Sequence, residues 1–259
     1  MGERFGENTV TQELMLAIRE EVLATTKLPL AIDYLSAELK LSGLISPAMV
    51  RLSHYFTPFQ AFVIGESERD KGKFDFLVAM QILQKEAEYR ATQCTPQGLF
   101  MYQFETICRN RLGYDHGFDA VSRDPLFDEG WREWILTVRR QVGLVDFADL
   151  LYVRSALYAK QKSPDADESD KPVLFGEKEG RIALAHRKKD PLWLFAALER
   201  HLNYPTVPRP RKLDESRQLI PLLMRRVERL EQRLKLVEEE SRGGIDLSRF
   251  SQPLDIPEE

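Results

Sequence analysis

Only two cysteines, Cys94 and Cys108, and four histidines, His54, His116, His186 and His201, occur in the 259 residues. Two thiols cannot staple a chain of this length, so the fold must stand on a hydrophobic core, and a reducing compartment, the cytoplasm, is expected. A metal centre would have to draw mostly on carboxylates, and no cofactor is expected. Long apolar runs are missing as well. No stretch approaches the span of a bilayer, and the opening MGERFGENTVTQE mixes charges without an apolar core, so neither a secretory leader nor membrane contact is expected.

Catalytic signatures are equally sparse. There is no dinucleotide fingerprint, no zinc-spaced Cys/His set and no Gly-x-Ser-x-Gly elbow. The stretch GESERDKGKF, 65–74, puts six residues between its first glycine and Gly72-Lys73 where a phosphate-binding loop has four, and Phe74 follows where a hydroxyl is needed.

What is present is charge, unevenly spread, and helical periodicity. A formal net charge of -4 divides into -7 over residues 1–180, +8 over 181–235 and -5 over 236–259: an acidic body, a basic arm and an acidic tail. Five dipeptides, Ser46-Pro47, Thr57-Pro58, Thr95-Pro96, Asp124-Pro125 and Asp190-Pro191, have the form of a helix start. The first side chain can accept from a first-turn amide, and proline has no amide to leave unpaired. Apolar stripes follow at helical spacing: Leu28, Ile32, Leu35 and Leu39; Phe100, Phe104, Ile107 and Cys108; Trp131, Trp134, Ile135 and Val138. Gly113 and Gly143 read as left-handed helix ends. Asp146 is expected to cap one helix over FADLLYVRSALYAK.

The fold expected is mainly α: a helical body over 9–160, a solvated acidic loop over 161–172, a small basic helical segment over 173–204, a Pro/Arg-rich spacer over 205–219, a coiled-coil helix over 220–240 and a flexible tail over 241–259. The partial alternation of Ile182, Leu184 and His186 allows a small β-hairpin near 173–186.

The sharpest pattern is IPLLMRRVERLEQRLKLV, 220–237. Ile220, Val227 and Leu234 fall at heptad position a, with Leu223, Leu230 and Val237 at d, giving an apolar seam about 27 Å long. Arg226 and Arg233 occupy g, and Glu231 and Glu238 occupy e. A parallel, in-register pair sets each arginine against a glutamate of the other chain, whereas an antiparallel pair opposes like charges. A seam packing on the chain's own body, as for most amphipathic helices, and a seam filled by a helix of a different protein are the open alternatives.

Other candidates each have a plainer reading. The loop GYDHGFDAVSRDPLFDE, 113–129, gathers carboxylates without the spacing of a calcium loop, and Asp124 and Asp128 suit helix starts. Glu86 and Glu88, beside Arg90, suit exposed charges or an internal ion pair. Arg187, Lys188, Lys189, Arg209, Arg211 and Lys212 could contact a nucleic-acid backbone or pair with the acidic parts of the chain. Phe56, Phe59, Phe62, Phe74 and Phe76 either fill a core or line a pocket. The tail residues 245–256, with Ile245, Leu247, Phe250, Leu254 and Ile256, could dock on a partner protein. The function expected is therefore a scaffold or adaptor, homodimeric through 220–237. A nucleic-acid-binding protein using 181–235 is the alternative, and an enzyme with a dispersed site in the helical body is a third reading.

Overall fold

Helix-start chemistry sets most of the element boundaries. The computed structural model describes residues 11–21, 27–69, 74–92, 94–161, 172–210, Met224, 226–231 and Leu234. Up to Pro210 the described helices are α1 (Thr11–Glu21), α2 (Leu28–Ser42), α3 (Ser46–Arg51), α4 (Pro58–Ser67), α5 (Phe76–Arg90) and α6 (Pro96–Asn110). They are followed by α7 (Tyr114–Ser122), α8 (Glu129–Gln141), α9 (Phe147–Tyr152), α10 (Ala156–Gln161), α11 (Glu177–Ala185) and α12 (Pro191–Leu202). Among the described residues there is no strand, only two isolated bridges. The chain divides into two units, Met1–Pro210 and Arg211–Glu259.

Three of the five dipeptides cap as expected. Thr57 accepts from the Gln60 amide while the Gln60 side chain accepts from the Thr57 amide, a full capping box on α4. Thr95 caps α6 and Asp190 caps α12. Ser46-Pro47 opens α3 without a side-chain cap of its own. Glu68 supplies one from a distance, accepting from the amides of Ile45 at 2.5 Å and Ser46 at 3.0 Å. Asp124-Pro125 opens no helix: Asp124 is fully buried in a turn, and Asp128 is the residue that caps α8.

α6 is the central element. Every residue from Gly98 to Ile107 is buried, polar ones included, so the helix is surrounded rather than one-sided. α5, α7 and α12 pack on it. Phe100 and Phe104 join it to α8, α9 and α12 through ring contacts with Trp134 at 4.8 Å, Phe147 at 4.5 Å and Phe195 at 5.5 Å.

Several expectations are corrected. The 113–129 stretch is not a loop, because Tyr114, Phe118 and Val121 recur at helical spacing and seat α7 on the core. The left-handed residue after α6 is Arg111, at φ 54°, while Gly113 at φ -58° precedes α7 and donates its amide to Glu66 at 3.0 Å. Gly143 does adopt a positive φ, 91°. The single helix expected after Asp146 is broken into α9 and α10 around Ser155, where Phe175 pairs with the backbone: Ala156 N–H donates to Phe175 O at 2.9 Å and Phe175 N–H to Arg154 O at 3.0 Å. The hairpin expected near 173–186 is instead this short pairing followed by helix α11. The alternation of Ile182 and Leu184 is too short to outweigh the helical placement of Gly180 and Ala183, both buried.

The 173–204 segment is part of the body's core. α11 packs on α9 and α12 on α6, and Leu174, Phe175, Leu194, Phe195 and Leu198 join the same buried cluster. Even the start of the proline-rich stretch is docked: Val207 is buried and Asn110 donates to Pro208 O at 3.1 Å.

Candidate functional site

The seam is the first candidate. Met224, 226–231 and Leu234 are helical, and Val227, Leu230 and Leu234 are 51%, 57% and 64% exposed. Arg226 and Glu231 are exposed on the same helix. Ile220, Leu223, Arg233, Val237 and Glu238 lie outside the residues whose side chains are described, as does the tail 245–256.

Inside the body, the polar residues with the most unusual surroundings are Glu86, Arg90, Gln103 and Asp124. Glu86, Gln103 and Asp124 are fully buried. Arg90 pairs with Glu86 at 2.8 Å and with Asp124, and the Gln103 amide donates to Glu86 at 3.0 Å and to Asp124 at 3.2 Å. Two carboxylates thus share one guanidinium. Burial raises the Glu86 pKa above its usual value, against the pull of Arg90 and Gln103, and Asp124 adds to the rise. Burial also opposes the charge of Arg90, yet Glu86 and Asp124 together raise its pKa. The cluster fastens α5 and α6 to the turn before α8. Of the sequence alternatives for the pair, Glu86 is the internal partner of Arg90, while Glu88 is exposed and pairs with Lys85 at 2.8 Å. A further buried carboxylate, Glu105, holds Arg109 and accepts from the Tyr204 hydroxyl at 2.7 Å.

A hollow of about 610 Å³ opens between α6, the α8–α9 turn and the start of α12, with Phe104, Cys108, Tyr114, Phe147 and Phe195 among its lining and Leu144 and Leu192 exposed on it. Burial pushes the Cys108 thiol up to about 12, so at neutral pH it is a protonated, weakly nucleophilic group. Burial likewise raises Cys94 to about 11. The hollow is mainly a hydrophobic surface.

Three carboxylates of 113–129 serve separate partners rather than one site: Asp119 pairs with Arg139, Asp124 with Arg90, and Asp128 caps α8. The basic candidates are also spread over different duties. Arg187 pairs with Asp149 and lies over the Tyr152 ring at 5.8 Å. Lys188, at φ 56°, donates its amide to Asp146 at 2.5 Å. Lys189 and Arg209 are exposed. Arg211 and Lys212 fall outside the described residues. Beside Lys189, Trp193 is 67% exposed, although α12 buries its neighbours Leu194 and Phe195.

The aromatic set divides between the two readings. Phe59 and Phe74 are core residues, and Phe62 packs beside Phe59 with ring centroids 6.2 Å apart. Phe56 and Phe76 line a separate apolar hollow.

No described helix is long and apolar enough to cross a membrane. Compared with protein families, curated proteins and solved structures, the chain matches none.

Proposed function

We propose that this chain is a self-associating interaction protein of the cytoplasm, a scaffold or adaptor that pairs through a parallel coiled coil over 220–237 and offers its terminal peptide, 245–256, to a partner. The observation that carries the reading is the exposure of Val227, Leu230 and Leu234 on one helix. Burying a half-exposed Val or Leu contributes about 1 kcal/mol or more. Association costs about 4–15 kcal/mol. Three such side chains from each of two chains only offset the lower part of that cost, so the full heptad pattern is needed and pairing should depend on concentration. Charge selects the occupant: Arg226 on one helix meets Glu231 on a second copy in parallel register, which a chain lacking the same g/e pattern would not reproduce.

Light-scattering mass after gel filtration tests this. The full chain is expected to run as twice 30.0 kDa at high concentration, and Val227→Asp/Leu230→Asp as a folded monomer. A wild-type monomer at every concentration overturns the reading.

A second reading has one observation of its own, the exposed Trp193 in a hollow with His186 and Lys189. An indole beside a lysine suits base stacking and phosphate contact. Asp190 shares the hollow and Arg187 is already paired, which weakens the local positive field. Salt-dependent binding of single-stranded nucleic acid, lost in Trp193→Ala, would favour it.

A further inference from the structure

The N-terminal helices line a half-open hollow of about 220 Å³ whose twelve lining side chains are all hydrocarbon or thioether. α1 contributes Met15, α2 contributes Ile32 and Leu35, α3 contributes Met49, and Phe56 and Met80 complete the wall from the turn before α4 and from α5. Met15, Ile32, Leu35 and Met49 are buried, while Phe56 and Met80 are half-buried, so the hollow runs from the core to the surface. Arg19 and Asp33, each next in sequence to a lining residue, pair at 2.8 Å and tie α1 to α2 on the solvent side.

Protein interiors are close-packed, and an unfilled hollow of this size leaves its apolar lining without the dispersion contacts a guest would supply. Water is a poor filler, because an interior water needs two to four polar partners and this lining supplies none. The hollow's volume exceeds the roughly 150 Å³ in which an apolar cavity takes up benzene, so there is room for a hydrocarbon guest. Three of its walls are methionine, an unbranched and adaptable side chain that conforms to a flexible guest.

We propose that this hollow binds a saturated hydrocarbon chain, brought by an amphiphile whose polar head stays in water. A hydrocarbon chain asks for no directional contact, which is the only kind of ligand an all-apolar lining can satisfy without leaving a polar atom unpaired. The proposal is independent of self-association through the C-terminal helix.

The test uses the full chain with ¹³C-methyl methionine, titrated with 1-octanol. Of the six methionines, Met15, Met49 and Met80 line the hollow, whereas Met101 is buried in α6 and Met224 is exposed in the C-terminal helix. The expected result is a saturable shift of the first three signals with Met101 and Met224 unmoved. Filling the space with Met80→Phe, or separately with Ile32→Phe, should weaken binding at least tenfold in whichever variant folds. Absence of a saturable shift in the wild type, or equal shifts at Met101 and Met224, overturns the proposal. So does undiminished octanol binding in a folded filled variant.

Discussion

α6 buries a glutamate, a glutamine and a threonine, while the C-terminal helix leaves a valine and two leucines in the open. The two helices invert the usual rule in opposite senses, and each inversion has a cost that only a partner can offset. For α6 the partners are in the same chain: Glu105 has Arg109 and the Tyr204 hydroxyl, Gln103 has Glu86 and Asp124, and Thr106 donates to Tyr102 O at 2.8 Å. For the C-terminal helix, the reading advanced above supplies the partner from a second copy. Burial is therefore decided by where the complementary groups reside more than by the polarity of a residue.

The comparison can be broken most forcefully inside the body. Arg90→Met would leave Glu86 and Asp124 buried without their cation, and breaking such a pair costs at least about 3 kcal/mol. A fall of that size is expected in urea unfolding of the full chain. An unchanged midpoint would show that the buried carboxylates do not depend on Arg90. Tyr204→Phe removes one donor from buried Glu105 and is expected to cost about 1–3 kcal/mol, measured the same way.

Glu86→Gln sharpens the electrostatic side. Because burial raises the folded pKa of Glu86, its contribution to stability is fully present below the ordinary carboxylate value and is lost as pH rises through the folded value. Glutamine keeps an acceptor for Arg90 without titrating. Unfolding free energies measured across this range should therefore shift in favour of the variant as pH rises, and parallel profiles would contradict the assignment. The smallest effect on the body is expected from Val227→Asp. Its body unfolding should stay within about 0.5 kcal/mol of the wild type when both are compared as monomers, whereas a large loss would mean that the stripe belongs to the chain's own core.

Much of the body was legible from local chemistry. Thr57, Thr95 and Asp190 announce their helices because a cap and a following proline act within one turn. Asp124-Pro125 has the same form and a different role, since its carboxylate is claimed by Arg90, 34 residues away in sequence. Local pattern cannot register so distant a partner. The same limit explains Glu68 capping α3, Phe175 dividing α9 from α10, and α11 standing where alternation suggested a hairpin. For the candidate seam, heptad spacing and the signs of Arg226 and Glu231 were readable. The apolar hollow was hinted at only through Phe56 and Phe76, because its walls come from separate helices whose meeting no single stretch of sequence encodes.

The central claim, pairing in parallel register with a second copy, is tested most directly by exchanging charges. Arg226→Glu/Arg233→Glu and Glu231→Arg/Glu238→Arg each place like charges across a parallel pair, and mixing the two restores opposite charges. Light-scattering mass at matched concentration should show each variant alone shifted toward monomer and the mixture returned to dimer. If both variants dimerise alone as well as the wild type does, or if mixing restores nothing, the parallel seam is contradicted.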